Sequence, residues 1–143
     1  DVTSSIRSDR VGFHTNEIAK VKGVRAVLNE MQKRMGRKGG VVMEGRDIGT
    51  VVFPRAEVKV YLDASPDERA RRRAADAAHT VGRTSDVANV AEDLAARDRS
   101  DSTRSVAPLV KADDAVYIDT TGVPVEDVVA RVLALVHEKA GAA

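Results

Sequence analysis

The 143-residue sequence has no cysteine and no tryptophan, and only two phenylalanines, two tyrosines and four prolines. Without cysteine, neither a disulfide scaffold nor a cysteine-based zinc site can form, and a reducing cytoplasm is the expected setting. So few aromatic rings cannot make a platform on which single-stranded nucleic acid stacks. No apolar run reaches the ~20 residues of a membrane-spanning helix, and no signal-peptide pattern opens the chain. An excess of one charge sign is missing as well. Lys plus Arg total 23 and Asp plus Glu total 22, a net +1. That excludes a protein coating nucleic acid or membrane by bulk positive charge.

What is present is the balance of one soluble globular domain over residues 1–143, with 31% charged and 43% hydrophobic residues. Arginine outnumbers lysine 16 to 7. Rigid guanidinium forks suit carboxylates and phosphates, although a genomic bias toward Arg, Ala, Val and Asp produces the same excess. The first residue is Asp1 rather than Met, so the chain is expected to lie within a longer polypeptide.

Three strand signals and four helix signals are legible. Ile18, Val21, Val24, Leu28, Met31 and Met35 recur at spacings of three and four, one apolar stripe on one helix. Gly36, Gly39 and Gly40 end it. Val41-Val42-Met43 reads as a buried strand stopped at Glu44-Gly45, and Val58 to Leu62 as a second, stopped at Asp63. Ser65-Pro66-Asp67-Glu68 is a capping box opening a helix that carries Arg69, Arg71, Arg72 and Arg73. His79 to Asp86 reads as a loop, and Val87 to Arg99 as a helix. Ala115 to Asp119 is the third strand. A last helix from about Pro124 is expected to bury Val128, Val129, Val132, Leu133 and Val136. Strands alternating with helices give an α/β fold with a parallel sheet, whose ligands bind outside the carboxyl ends of the strands.

Glu44-Gly45-Arg46-Asp47-Ile48-Gly49-Thr50 lies just there, where its charges face a ligand or satisfy one another in a turn. Gly40 to Gly45 has the GxxxxG spacing of a P-loop but continues into Arg46-Asp47, not the Lys and Ser/Thr that hold phosphates and Mg²⁺. A phosphate cradle is therefore rejected. Further on, Arg97, Asp101 and Arg104 fall at i, i+4 and i+7 on one helical face. Two guanidiniums around a carboxylate suit a ligand with anionic oxygens and hydroxyls, or form a solvated ion pair. Arg69, Arg72 and Arg73 share another face and need an anion or acidic neighbours such as Glu68 and Asp76. His14, His79 and His137 have no ligand spacing and read as surface residues.

These residues resemble the bacterial cytidylate (CMP) kinases over nearly the whole chain. The resemblance rests on Val24-Arg25, on Glu44 through Pro54, and on the Arg69 to Arg73 helix. It rests also on Ala96-Arg97-Asp98-Arg99, on Asp101 through Leu109, and on Ala112 through Ala115. It implies the P-loop nucleoside monophosphate kinase fold, with a mobile lid at about 72–104, and transfer of a phosphoryl group from ATP to CMP or dCMP with Mg²⁺. It also implies a monomeric cytoplasmic enzyme of pyrimidine metabolism with no nucleic-acid or membrane partner. By resemblance Asp47 and Arg25, with Arg104 nearby, recognise cytosine, whose amino donor and ring acceptors suit one carboxylate and one guanidinium. The O4 of uracil would be repelled by Asp47.

Asp101 and Asn16 are implied near the sugar, and Arg46 with Arg97 at the phosphates. Arg72 and Arg73 are implied at the ATP phosphates, and Glu44 holding Mg²⁺ through water. Arginines without a catalytic His or Cys are what phosphoryl transfer requires. The family's glycine-rich phosphate loop is not among these residues, so the chain is expected to be the C-terminal portion of a kinase, inactive alone. Other expectations are a non-catalytic CMP-binding module, another small-molecule nucleotide kinase of this fold, or a helix-rich fragment with surface ion pairs.

Overall fold

The computed structural model describes residues 9–76 and 86–141. Helix α1 (Asp9–Ala19) and helix α2 (Lys22–Gly36) take the place of the single helix predicted from Ile18 to Met35. Val21 is extended (φ −75°, ψ 112°) and serves as the N-cap of α2. Gly23, a poor helix former, lies two residues beyond this break. Apolar spacing of three carries no record of one extended residue. Gly39 and Gly40 then adopt left-handed φ of 69° and 63° and turn the chain after α2.

Val41-Val42-Met43 is not a strand, and Val42 is fully exposed. A strand needs a neighbour to pair with, and among the described residues no strand pairs with it. The other two strand readings hold. Strand β1 (Val60–Asp63) pairs in parallel with strand β2 (Val116–Asp119), in the register Val60↔Val116 to Asp63↔Asp119. Tyr61 and Tyr117 stack at 6.2 Å in this register, and Tyr117 donates its hydroxyl to Asp63 Oδ2 at 3.0 Å.

A parallel pair requires a long crossover, and here helix α3 (Pro66–Ala75) and helix α4 (Val87–Thr103) lie between the strands in sequence. The capping box at α3 is half made. Ser65 Oγ accepts from Glu68 N at 3.3 Å, but Glu68 turns its carboxylate to Arg71 and Arg72. The Ser65 N–H donates instead to Thr121 Oγ1 at 2.8 Å, tying the start of α3 to the end of the sheet. Helices α3 and α4 pack broadly on each other, and Ala70 is wholly buried.

The His79–Asp86 loop lies outside the described residues except for Asp86, the N-cap of α4, which accepts from Ala88 N at 3.1 Å. Helix α4 runs four residues further than predicted, to Thr103. Helix α5 (Val125–Gly141) follows β2. Its expected buried face is corrected, because Val129, Leu133 and Val136 are exposed. Among the described residues no helix or strand packs broadly over it. Among the described residues the buried apolar side chains are Val52, Ala70, Ala107 and Ile118.

Candidate active site

Past Gly45 the chain makes one π-helical turn, Ile48–Val52. Val52 N bonds Asp47 O at 3.3 Å and Phe53 N bonds Ile48 O at 2.7 Å, each closing over five residues. Such turns often mark functional sites. Lys59, with its side chain only 7% exposed, pins this turn to the foot of the sheet. Its Nζ donates to Pro54 O at 2.6 Å and to the Asp114 carboxylate at 2.7 and 2.9 Å. The end of α2 closes on the turn as well: a side chain at Gly36 would meet the Phe53 ring at 2.5 Å.

This turn presents Asp47 and Arg46 to two helices. Asp47 is buried and pairs with the Arg25 guanidinium of α2, each side chain 11% exposed. Arg46 reaches α4, where Nη1 donates to Asp98 Oδ1 at 2.8 Å and Nε lies 3.2 Å from Asp101 Oδ2. The other oxygen of Asp98 is held by Arg69 of α3. Asp101 also receives Arg104 Nη1 on Oδ1 at 3.1 Å, while Arg97 Nε stands 3.9 Å from Oδ2. Beyond α4 the chain folds back, with Leu109 N on Asp101 O at 2.9 Å. Ala107 takes a left-handed φ of 51° and offers its carbonyl to Arg104 Nε. The i, i+4, i+7 face read from sequence thus converges on Asp101.

Five arginines (25, 46, 69, 97, 104) meet three aspartates (47, 98, 101), so two positive charges are in excess. Burial and the Arg25 charge depress the Arg104 pKa. Burial raises that of Asp98, but the hydrogen bonds and charges of Arg69 and Arg46 outweigh it and hold the carboxyl below its usual range. The stabilisation from Asp98 is therefore complete above the ordinary carboxylate range and is lost only as pH falls through the depressed value. Arg25 Nε, Arg69 Nε and Arg104 Nη2 are buried donors without hydrogen-bond partners among the described residues. Arg25 and Arg104 line an open cleft of about 230 Å³ with Ala19, Lys20, Ser105 and Val106.

The remaining predicted residues are placed differently. Arg72 is tied down: its guanidinium bonds Glu68 Oε1 at 2.7 Å, Thr120 Oγ1 at 3.0 Å and the Thr120 carbonyl. Arg73 and Arg72 both line a second cleft of about 310 Å³, with Arg69, Asp76 and Leu94, and the Arg73 pKa is lowered by burial and by the Arg97 charge. Glu44 is exposed, and no cluster of three metal-ligating side chains occurs among the described residues. A lone carboxylate fits Mg²⁺ only where substrate phosphates and water complete its shell. Asn16 lies on α1, its side chain outside the described set; His14 and His137 are exposed, and His79 is not described.

The sequence reading missed Asp98 and Lys59. Asp98 precedes Asp101 by three residues, the spacing that puts both on one helical face, and this signal was available. Lys59 interrupts an apolar strand run and gave none.

A sequence model of the cytidylate kinase family matches residues 1–138. The chain is 47% identical over 141 residues to a cytidylate kinase of Geobacillus sp. (strain WCH70), covering 99% of this chain and 62% of that protein. It is 44% identical over 140 residues to a cytidylate kinase of Bacillus licheniformis, again covering 62% of the relative. A bifunctional pantoate ligase/cytidylate kinase of Synechococcus sp. (strain RCC307) is 46% identical over 138 residues, which are 27% of its length. The chain thus spans about 62% of the single-function relatives and matches their C-terminal part. No helix among the described residues is long and apolar enough to cross a membrane. The fold is that of the P-loop nucleoside monophosphate kinases, represented here by a parallel two-stranded sheet flanked by helices. By a match along nearly its whole length, the chain belongs to the cytidylate kinase family.

Proposed function

We propose that the full-length protein transfers the γ-phosphoryl group of ATP to a phosphate oxygen of CMP or dCMP, giving ADP and CDP or dCDP, as a monomer in the cytoplasm. The observation that carries this reading is the arginine–aspartate cluster, whose two excess positive charges match the nearly dianionic phosphate of a nucleoside monophosphate. Donors left unpaired on Arg25 and Arg104 beside one cleft support the same reading.

In it, Asp47 accepts from the amino group of cytosine and Arg25 donates to the ring acceptors, with Arg104 beside them. Asp101 takes a sugar hydroxyl, as does Asn16. Arg46 and Arg97 hold the phosphates. Arg72 and Arg73, which line one cleft, meet the ATP phosphates, with Arg73 beside Arg97. Glu44 holds a water of Mg²⁺, whose charge neutralises the transferring phosphates when bound. Residues 72–104 serve as the lid, of which α4 and the end of α3 are described.

The test is full-length protein with ATP and a panel of CMP, dCMP, UMP and AMP. CMP and dCMP are expected to exceed UMP in kcat/KM by about 100-fold or more, since UMP leaves Asp47 facing a carbonyl. Preference for UMP or AMP overturns the role of Asp47. Binding of CMP without turnover overturns the kinase reading and leaves a binding module.

A further inference from the structure

We propose that Asp98 is a positioning residue that fixes the Arg46 guanidinium for phosphoryl transfer, an inference that rests on the phosphate role of Arg46 given above. Arg46 leaves the backbone between Gly45 and Asp47, in a stretch that is neither helix nor strand. The backbone there sets no direction for a side chain with four rotatable bonds, and ordering such a side chain costs up to about 2 kcal/mol. Two carboxylates one turn apart on α4 supply the direction. Asp98 takes Nη1 and Asp101 lies against Nε, which leaves Nη2 without a protein partner among the described residues.

The two aspartates are not equivalent. Asp101 is shared among Arg46, Arg97 and Arg104, and its Oδ2 makes no hydrogen bond that meets normal geometry. Asp98 gives one oxygen wholly to Arg46, while its other oxygen is held by Arg69 from α3, which stops the carboxylate from rotating. Asp98 is also only 22% exposed, so water competes weakly for it. The direction of Arg46 is therefore set by the packing of α3 on α4, through a carboxylate that lines neither cleft described above.

A purely structural role would have Asp98 clamp α3 to α4 without regard to Arg46, and epistasis separates the two. In full-length protein, Asp98→Ala is expected to lower kcat about 10–100-fold, the cost of loosening a reacting geometry by about 1 Å, with KM for CMP changed less than about threefold. In an Arg46→Ala background the same substitution is expected to cost no further kcat, within about twofold. Asp98→Asn keeps one acceptor oxygen but sets an N–H against a guanidinium, so an intermediate loss is expected. It carries the same cycle if Asp98→Ala does not fold. An unchanged kcat in Asp98→Ala overturns the inference. So does an equal loss in both backgrounds with a lowered thermal midpoint, which assigns Asp98 to the helix clamp alone. A wild-type protein that phosphorylates no nucleotide overturns the functional reading, and this inference with it.

Discussion

Replacing Arg46 with alanine is expected to lower kcat for CMP phosphorylation by about 10²–10³-fold, the usual cost of removing one pre-aimed donor from a developing negative charge. Arg46 is already oriented in the protein as it stands, with Nη1 and Nε directed at Asp98 and Asp101. Such a donor needs no reorganisation as the phosphoryl group moves. Arg46→Lys should recover little, because one ammonium cannot span both aspartates and still face a phosphate. Steady-state kinetics on full-length protein, with ATP and CMP varied separately, measures both. A kcat within about threefold of wild type in Arg46→Ala would reduce the arginine cluster to a surface ion-pair network.

The second large effect is on stability. Arg25→Ala removes one side of a pair whose two side chains are each 11% exposed and leaves the Asp47 carboxylate buried. Breaking a buried pair on one side costs about 3–5 kcal/mol. The low end applies here because the Arg104 charge also acts on Asp47. A loss of about 3 kcal/mol lowers the thermal midpoint by roughly 6–12 °C in a protein of 150–250 residues. The double variant Arg25→Met, Asp47→Leu removes both charges and should regain most of that loss, although CMP recognition goes with it. A double variant as unstable as the sum of its single ones would mean that the pair is not the source of the effect.

The parts of the fold set by local chemistry were legible in the sequence. Ser65 and Pro66 start α3, the apolar runs ending at Leu62 and Asp119 are the two strands, and the 97–101–104 face does gather on one carboxylate. What depended on a partner elsewhere was not. Val41-Val42-Met43 has strand chemistry but no described neighbour to bond. The stripes of α2 and α5 have core periodicity, yet Leu28, Met31, Val129 and Leu133 stand exposed. Periodicity reports which face of a helix is apolar, not what lies against it. The Arg25–Asp47 and Arg46–Asp98 pairs join residues 22 and 52 positions apart, a separation at which spacing is silent. There the family resemblance, rather than any local pattern, pointed to Arg25 and Asp47.

Gly36 marked the end of a helix in the sequence, but in the folded chain its missing side chain is the space in which the Phe53 ring sits. The two positions therefore compete for a single volume. In an alignment of the family, a bulkier residue at position 36 should come with a smaller one at position 53, and the aromatic ring should persist only where 36 stays glycine. Lineages in which both positions are large would have had to move the end of α2 away from the π-turn, and with it the start of the segment that delivers Arg46.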